Sequence, residues 1–171
     1  AGGLVILVTK PFQLGDLVET ADGLGTVKEI SLTFTKLETP DGLWLMTPNS
    51  VLSSGKITNY TALGRRRAEI RVGASYDAAV SDVRAACLDA AARVPGVLPD
   101  PAPIVYVDSY GESSISYIVR VWCRSEDYTD VYYGLTEGLK AAFDEHGVEM
   151  PYNHLNIHIL DQTEQKEKQT V

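Results

Sequence analysis

The sequence predicts an α+β chain: a small all-β module in front, a β-α-β-β-α-β module behind it, and one more short strand at the end. Over residues 12–62, short runs rich in Val, Leu, Ile and Thr are separated by dense turn signals. Over 63–158, the apolar period switches between 2 and 3.6 residues in a clear order. No stretch places a nucleophile beside a base or gathers metal ligands, so the chain reads as an assembly element and not as an enzyme.

Composition sets the frame. The 171 residues are 44% hydrophobic and 22% charged, ordinary for a folded protein of one or two small domains. A net charge of −8 disfavours a broad phosphate-binding surface. The longest apolar run, Leu4-Val5-Ile6-Leu7-Val8, is far short of the roughly 20 residues a membrane-spanning helix needs. Cys87 and Cys123 lie far apart without a C-x-x-C, so both read as buried small hydrophobes in a reducing setting.

Residues 1–11 read as the end of an apolar helix, stopped by Pro11. The all-β module follows. Strands are expected at Leu14–Glu19, Gly25–Ile30, Ser31–Thr39, Leu43–Thr47 and Lys56–Tyr60. Turns fall at Gly15-Asp16, Asp22-Gly23, Pro40-Asp41-Gly42, Pro48-Asn49-Ser50 and Gly55. A phase slip near Glu29-Ile30 predicts a bulge, as in a small bent barrel.

In the second module, Ala68, Ile70 and Val72 alternate with Arg67, Glu69 and Arg71, which makes a half-buried strand. Asp77 caps a helix running to Val94, with Val80, Val83, Cys87, Ala91 and Val94 on its inner stripe. Strands at Ile104–Asp108 and Ser114–Arg124 follow. A second helix, Asp130–His146, carries Tyr132, Leu135, Leu139 and Phe143 inward and ends on Gly147 at C′. A strand at Leu155–Ile159 completes the order of a ferredoxin-like split βαβ sandwich. Beyond Leu160 the run from Asp161 to Lys168 is wholly polar and needs a partner to be ordered.

Candidate sites are weak. His154 and His158 stand on one face of an expected strand, about 13 Å apart, too far to share a metal. Ser113-Ser114 lacks a histidine nearby, and Gly23-x-Gly25 does not open a helix. Trp44 and Trp122 fall in strands and read as core or subunit packing. No metal, cofactor or catalytic set is expected.

The motifs then resemble a known family. Lys10-Pro11-Phe12-x-x-Gly15-Asp16-x-Val18, Gly25-Thr26-Val27-x-x-Ile30-Ser31-Leu32, Thr39-Pro40-Asp41-Gly42, Pro48-Asn49-Ser50 and Ile57-x-Asn59-Tyr60 stand in the order and spacing of the small-conductance mechanosensitive channels. Gly73-Ala74-Ser75-Tyr76-Asp77, Val119-Arg120-Val121-Trp122 and Gly147-Val148-Glu149-Met150-Pro151-Tyr152 extend the resemblance over essentially the whole chain.

The resemblance implies four parts. Residues 1–11 would end an amphipathic pore helix, with Gly3 at one of its small positions. Residues 12–62 would be an Sm-like β domain and 63–158 a ferredoxin-like domain. Residues 159–171 would give one strand of a C-terminal β-barrel and a tail. It also implies a homo-heptamer enclosing a portal-bearing vestibule on the cytoplasmic side of a bacterial inner membrane, below a tension-gated pore. Ions and small osmolytes would be the permeants, and absent N-terminal helices would contact the lipid. Asp161, Glu164, Lys166, Glu167 and Lys168 would then form charged rings about the axis, with strand register deciding which face inward.

The alternative is a regulatory or RNA-binding module of the same folds, suggested by Arg65-Arg66-Arg67. Against it stand the negative charge and the expected lack of aromatics interleaved with basic residues on a sheet, so no nucleic acid partner is expected.

Overall fold

A computed structural model describes residues 11–155 together with Ile6, Thr9 and Ile157. The order of elements is β1 (Leu17–Thr20), β2 (Gly23–Ile30), β3 (Phe34–Glu38), β4 (Trp44–Pro48), α1 (Asn49–Ser54), β5 (Thr58–Asn59), β6 (Arg65–Ala74), α2 (Val80–Arg93), β7 (Ile104–Tyr110), β8 (Ile115–Arg124) and α3 (Tyr128–Glu145). A 3₁₀ turn, Ser125–Asp127, leads into α3. The chain is therefore α+β, with antiparallel sheets.

The front sheet runs β4-β3-β2-β1-β5. Its core is Phe12, Val18, Val27, Leu37 and Leu52, joined by the helical residue Ile6. The expected bulge occurs between Val27 and Glu29, just ahead of the phase slip. Gly25 has a steric reason: a Cβ there would lie 2.8 Å from Leu37 Cβ and 3.0 Å from the Glu38 carbonyl oxygen. Only a residue without a side chain lets the strands approach this closely.

Two expectations for this half need correction. The long strand Ser31–Thr39 shortens to Phe34–Glu38, and Leu32 is 71% exposed. Ser31 explains the late start. Its hydroxyl both donates to the Phe34 carbonyl and accepts from the Phe34 N–H, so a local turn replaces the ladder. Pro48-Asn49-Ser50 is the start of helix α1 and not a plain turn, with Pro48 in the N-cap position.

The second sheet runs β6-β8-β7, and α2 and α3 cover one of its faces. The alternation in β6 places Ala68 and Ile70 in the core, and β8 buries Ile115, Tyr117, Val119, Val121 and Cys123. Helix α3 ends in a Schellman motif. The Val148 N–H reaches the Phe143 carbonyl at 2.8 Å, the Gly147 N–H reaches that of Asp144, and Gly147 has φ +66°.

Asp77 does not cap α2. The helix begins at Val80 with Ala79 at the N-cap, because a turn from Ser75 to Ala78 intervenes. Val80 is exposed and Val94 follows the helix, so Val83, Ala86, Cys87, Ala90 and Ala91 form the buried stripe. The strand expected at Leu155–Ile159 is not seen among the described residues. Leu155 and Ile157 lie outside any strand and are 85% and 79% exposed; Asn156, His158 and Ile159 lie outside the described residues. An alternating segment becomes a strand only beside a partner, and among the described residues no strand pairs with the outer edge of β6.

Candidate functional site

The motif residues gather at two polar knots and one junction. In the first knot, the Asp16 carboxylate accepts hydrogen bonds from the Gln13 N–H (2.8 Å), Asn59 Nδ2 (2.8 Å) and the Thr61 hydroxyl (2.8 Å). Asn59 Oδ1 accepts in turn from the backbone N–H groups of Thr61 and Ala62. Partial burial pushes the Asp16 carboxyl up, but the three donors outweigh it and hold it below the ordinary value. The knot ties the entry of the front sheet to its exit, 45 residues apart in sequence. Gly15, at φ +91°, turns the chain just before it.

The second knot centres on Asn49, which is 1% exposed. Its Oδ1 accepts from the Thr35 hydroxyl at 2.7 Å, its Nδ2 donates to the Ser31 carbonyl at 2.7 Å, and its N–H donates to the Thr33 carbonyl at 2.9 Å. One side chain thus fixes the start of α1 against the turn before β3. The hairpin β3–β4 closes through the Gly42 N–H to the Thr39 carbonyl, with the Thr39 hydroxyl donating to Asp41.

The junction is Arg66. Its guanidinium lies 3.5 Å from the Tyr128 ring centroid and 4.6 Å from that of Tyr60, between a ring of each module. The Tyr60 hydroxyl donates to Glu19 at 2.6 Å, and that bond raises its pKa. The Ser125 N–H donates to the Gly64 carbonyl across the same seam.

The uncovered face of the β6-β8-β7 sheet is charged. Arg120 donates to Glu69 at 2.8 Å, and Arg71 bridges Glu69 and Asp108 at 3.1 and 3.5 Å. These arginines, Arg120 first, hold the Glu69 carboxyl below its ordinary range. Arg65 lies 5.1 Å from the Trp122 ring and Arg120 5.5 Å from the Tyr106 ring. The expected lack of interleaved aromatics is therefore corrected: arginines from β6 and β8 alternate with rings from β8 and β7. Sequence reading missed this because the pattern exists only across strands.

No group of three or more His, Cys, Asp or Glu among the described residues can hold a metal. Burial pushes the Cys87 thiol up to about 12 and raises that of Cys123. His154 is exposed and outside any strand. Gly3, His158, Asp161, Glu164, Lys166, Glu167 and Lys168 lie outside the described residues.

Two family models match in tandem. The β-domain of mechanosensitive ion channels matches residues 1–62, and the C-terminal domain of the MscS mechanosensitive ion channel matches residues 68–150. The chain belongs to the MscS family. Among curated MscS-family relatives, a small-conductance mechanosensitive channel of Edwardsiella ictaluri is 30% identical over 93% of this chain and 56% of its own length. An MscS family protein of Synechocystis is 29% identical over 98% of this chain and 56% of its own.

The chain thus spans about half the length of these relatives. In structure it resembles Helicobacter pylori MscS in its closed state, with a TM-score of 0.87, 28% identity and coverage of 94% of this chain and 64% of that one. Arabidopsis thaliana MSL1 shares the fold, with a TM-score of 0.73 at 20% identity over 88% of this chain and 57% of its own. Among the described residues of this MscS-family chain, no helix is long and apolar enough to cross a membrane.

Proposed function

We propose that this chain is the vestibule part of a mechanosensitive ion channel, lying on the cytoplasmic side of a bacterial-type inner membrane and filtering ions and osmolytes below a tension-gated pore. The observation that carries the reading is the tandem family match, β-domain then C-terminal domain, over residues 1–62 and 68–150. In this reading residues 1–11 end a pore helix, 12–62 form an Sm-like domain, and 63–158 form a ferredoxin-like domain. Residues 159–171 give a barrel strand and tail.

The two polar knots and the Arg66 junction suit an element that transmits position rather than chemistry. Seven copies would enclose a chamber, with Asp161, Glu164, Lys166, Glu167 and Lys168 as candidate charged rings. Permeants would be inorganic ions and small osmolytes, and contact with the bilayer would come from helices outside this chain. The full-length gene, expressed in cells lacking mechanosensitive channels, is expected to rescue survival of a hypo-osmotic downshift and to give tension-activated currents in excised patches. Absence of both would sink the transport role.

A second reading, an RNA-binding module, is favoured only by the arginine- and aromatic-bearing sheet face. It predicts single-stranded RNA binding that weakens steeply with salt.

A further inference from the structure

The uncovered sheet face runs against the charge of the chain. It carries Arg65, Arg67, Arg71, Arg120 and Arg124, with Glu69 and Asp108 as its carboxylates among the described strands, in a protein of net charge −8. Arg120 is committed to Glu69, Arg71 to Glu69 and Asp108, and Arg124 to Glu126 and Asp127. Two guanidinium groups are left. Arg65 makes no ion pair among the described residues, and Arg67 reaches Glu69 only at 4.0 Å.

Arg67 pairs with Trp122 across the ladder, and Arg65 pairs with Arg124, whose own charge is drawn to Glu126 and Asp127. Like charges directly opposed on neighbouring strands are unfavourable unless an anion lies near them. The indole matters to what can bind. With Arg65 lying over it at 5.1 Å and Arg120 over Tyr106 at 5.5 Å, the guanidinium groups crowd the ring faces a nucleobase would need. A guanidinium held over a ring still has its N–H fork to present, the geometry that takes an oxyanion through two parallel bonds.

We propose that Arg65 and Arg67, set against Trp122, form a binding site for the oxyanion group of a small solute, a carboxylate or a phosphate. The site is open to water, so its affinity belongs on the order of 1 mM. If the chain lines a channel vestibule, the site would hold permeant anions at the wall; that consequence rests on the vestibule reading, whereas the binding does not.

Trp122 is its own reporter. The sequence has two tryptophans, so Trp44→Phe leaves a single indole. In that background, disodium succinate and sodium phosphate are titrated separately at constant ionic strength, with sodium chloride as the balancing salt. A saturable change in Trp122 emission is expected with at least one of them, and the two arms distinguish carboxylate from phosphate. The Arg65→Gln/Arg67→Gln pair should weaken it at least tenfold, and Arg67→Lys should retain part of it, since charge remains but the fork is lost.

Near-UV circular dichroism checks that the double variant keeps its fold. A linear drift in place of saturation, an undiminished response in the folded double variant, or single-stranded oligouridylate binding more than tenfold tighter than succinate would each overturn the proposal. Succinate or phosphate binding alongside failed osmotic rescue would remove the vestibule reading and leave the site standing; rescue without binding would do the reverse.

Discussion

At the scale of single residues, the knots carry the front sheet. Asn49 satisfies the buried Thr35 hydroxyl and the part-buried Ser31 carbonyl, so truncating it leaves both without that partner. Asn49→Ala is expected to cost about 3 kcal/mol, read as a shift of the urea midpoint at unchanged slope. Asn49→Asp should be nearly as costly despite its shape, because it turns the donor toward the Ser31 carbonyl into an acceptor. Gly25→Ala should cost about 1–3 kcal/mol, since the new methyl must displace the β3 backbone.

Asp16 sets a pH dependence at the same scale. Its folded-state pKa lies below the ordinary 3.8. Its contribution is therefore complete above about pH 4 and is lost as pH falls through the lower folded value. Urea midpoints measured from pH 6 down to pH 2.5 should decline more steeply for the wild type than for Asp16→Asn at the acid end. Parallel curves would mean that the knot does not depend on the charge.

At the scale of elements, the two modules meet through Arg66, and each module carries one tryptophan: Trp44 in β4 and Trp122 in β8. Removing the guanidinium from between Tyr60 and Tyr128 should let the modules unfold more independently. In Arg66→Ala, the denaturation midpoints reported by single-tryptophan variants should separate further than in the parent protein; an unchanged separation would place the coupling elsewhere in the seam.

Elements were legible in the sequence where a local period decides them. The alternation of β6 and β8, the stripe of α3 and the stop at Gly147 are local signals, and burial follows them. Helix α1 was not legible, because Asn49 is held by backbone from Ser31 and Thr33, which no short-range pattern shows. Asp77 misled for a related reason: the turn at Ser75 separates it from the helix it stands near. The arginine and aromatic face was invisible because it is written across three strands.

At the scale of the whole molecule, the apolar surface is unevenly spread. Leu43, Trp44 and Met46 are all exposed, the latter two at 58% and 54%, and all three lie in or beside β4, an edge strand. An edge offers unpaired backbone donors and acceptors, and here it also offers apolar side chains on its outer face. Lys36 stands over the Trp44 ring at 3.7 Å, covering part of the indole, while Met46, its cross-strand neighbour, stays 54% exposed. A protein that stayed monomeric would be expected to blunt such an edge with charge, whereas one that assembles would use it.

The expected outcome is self-association through the front sheet, with β4 of one copy against a neighbour. Multi-angle light scattering across a concentration series should show a mass that rises above the 18.6 kDa of one chain. Met46→Lys puts a charge on that edge at a site too exposed to disturb the core, so it should return the mass toward the single-chain value while leaving the urea midpoint within about 0.5 kcal/mol of its parent. If the mass stays high in Met46→Lys, the copies meet through another surface. If the parent itself stays at one chain's mass, the β4 edge does not drive assembly of this chain.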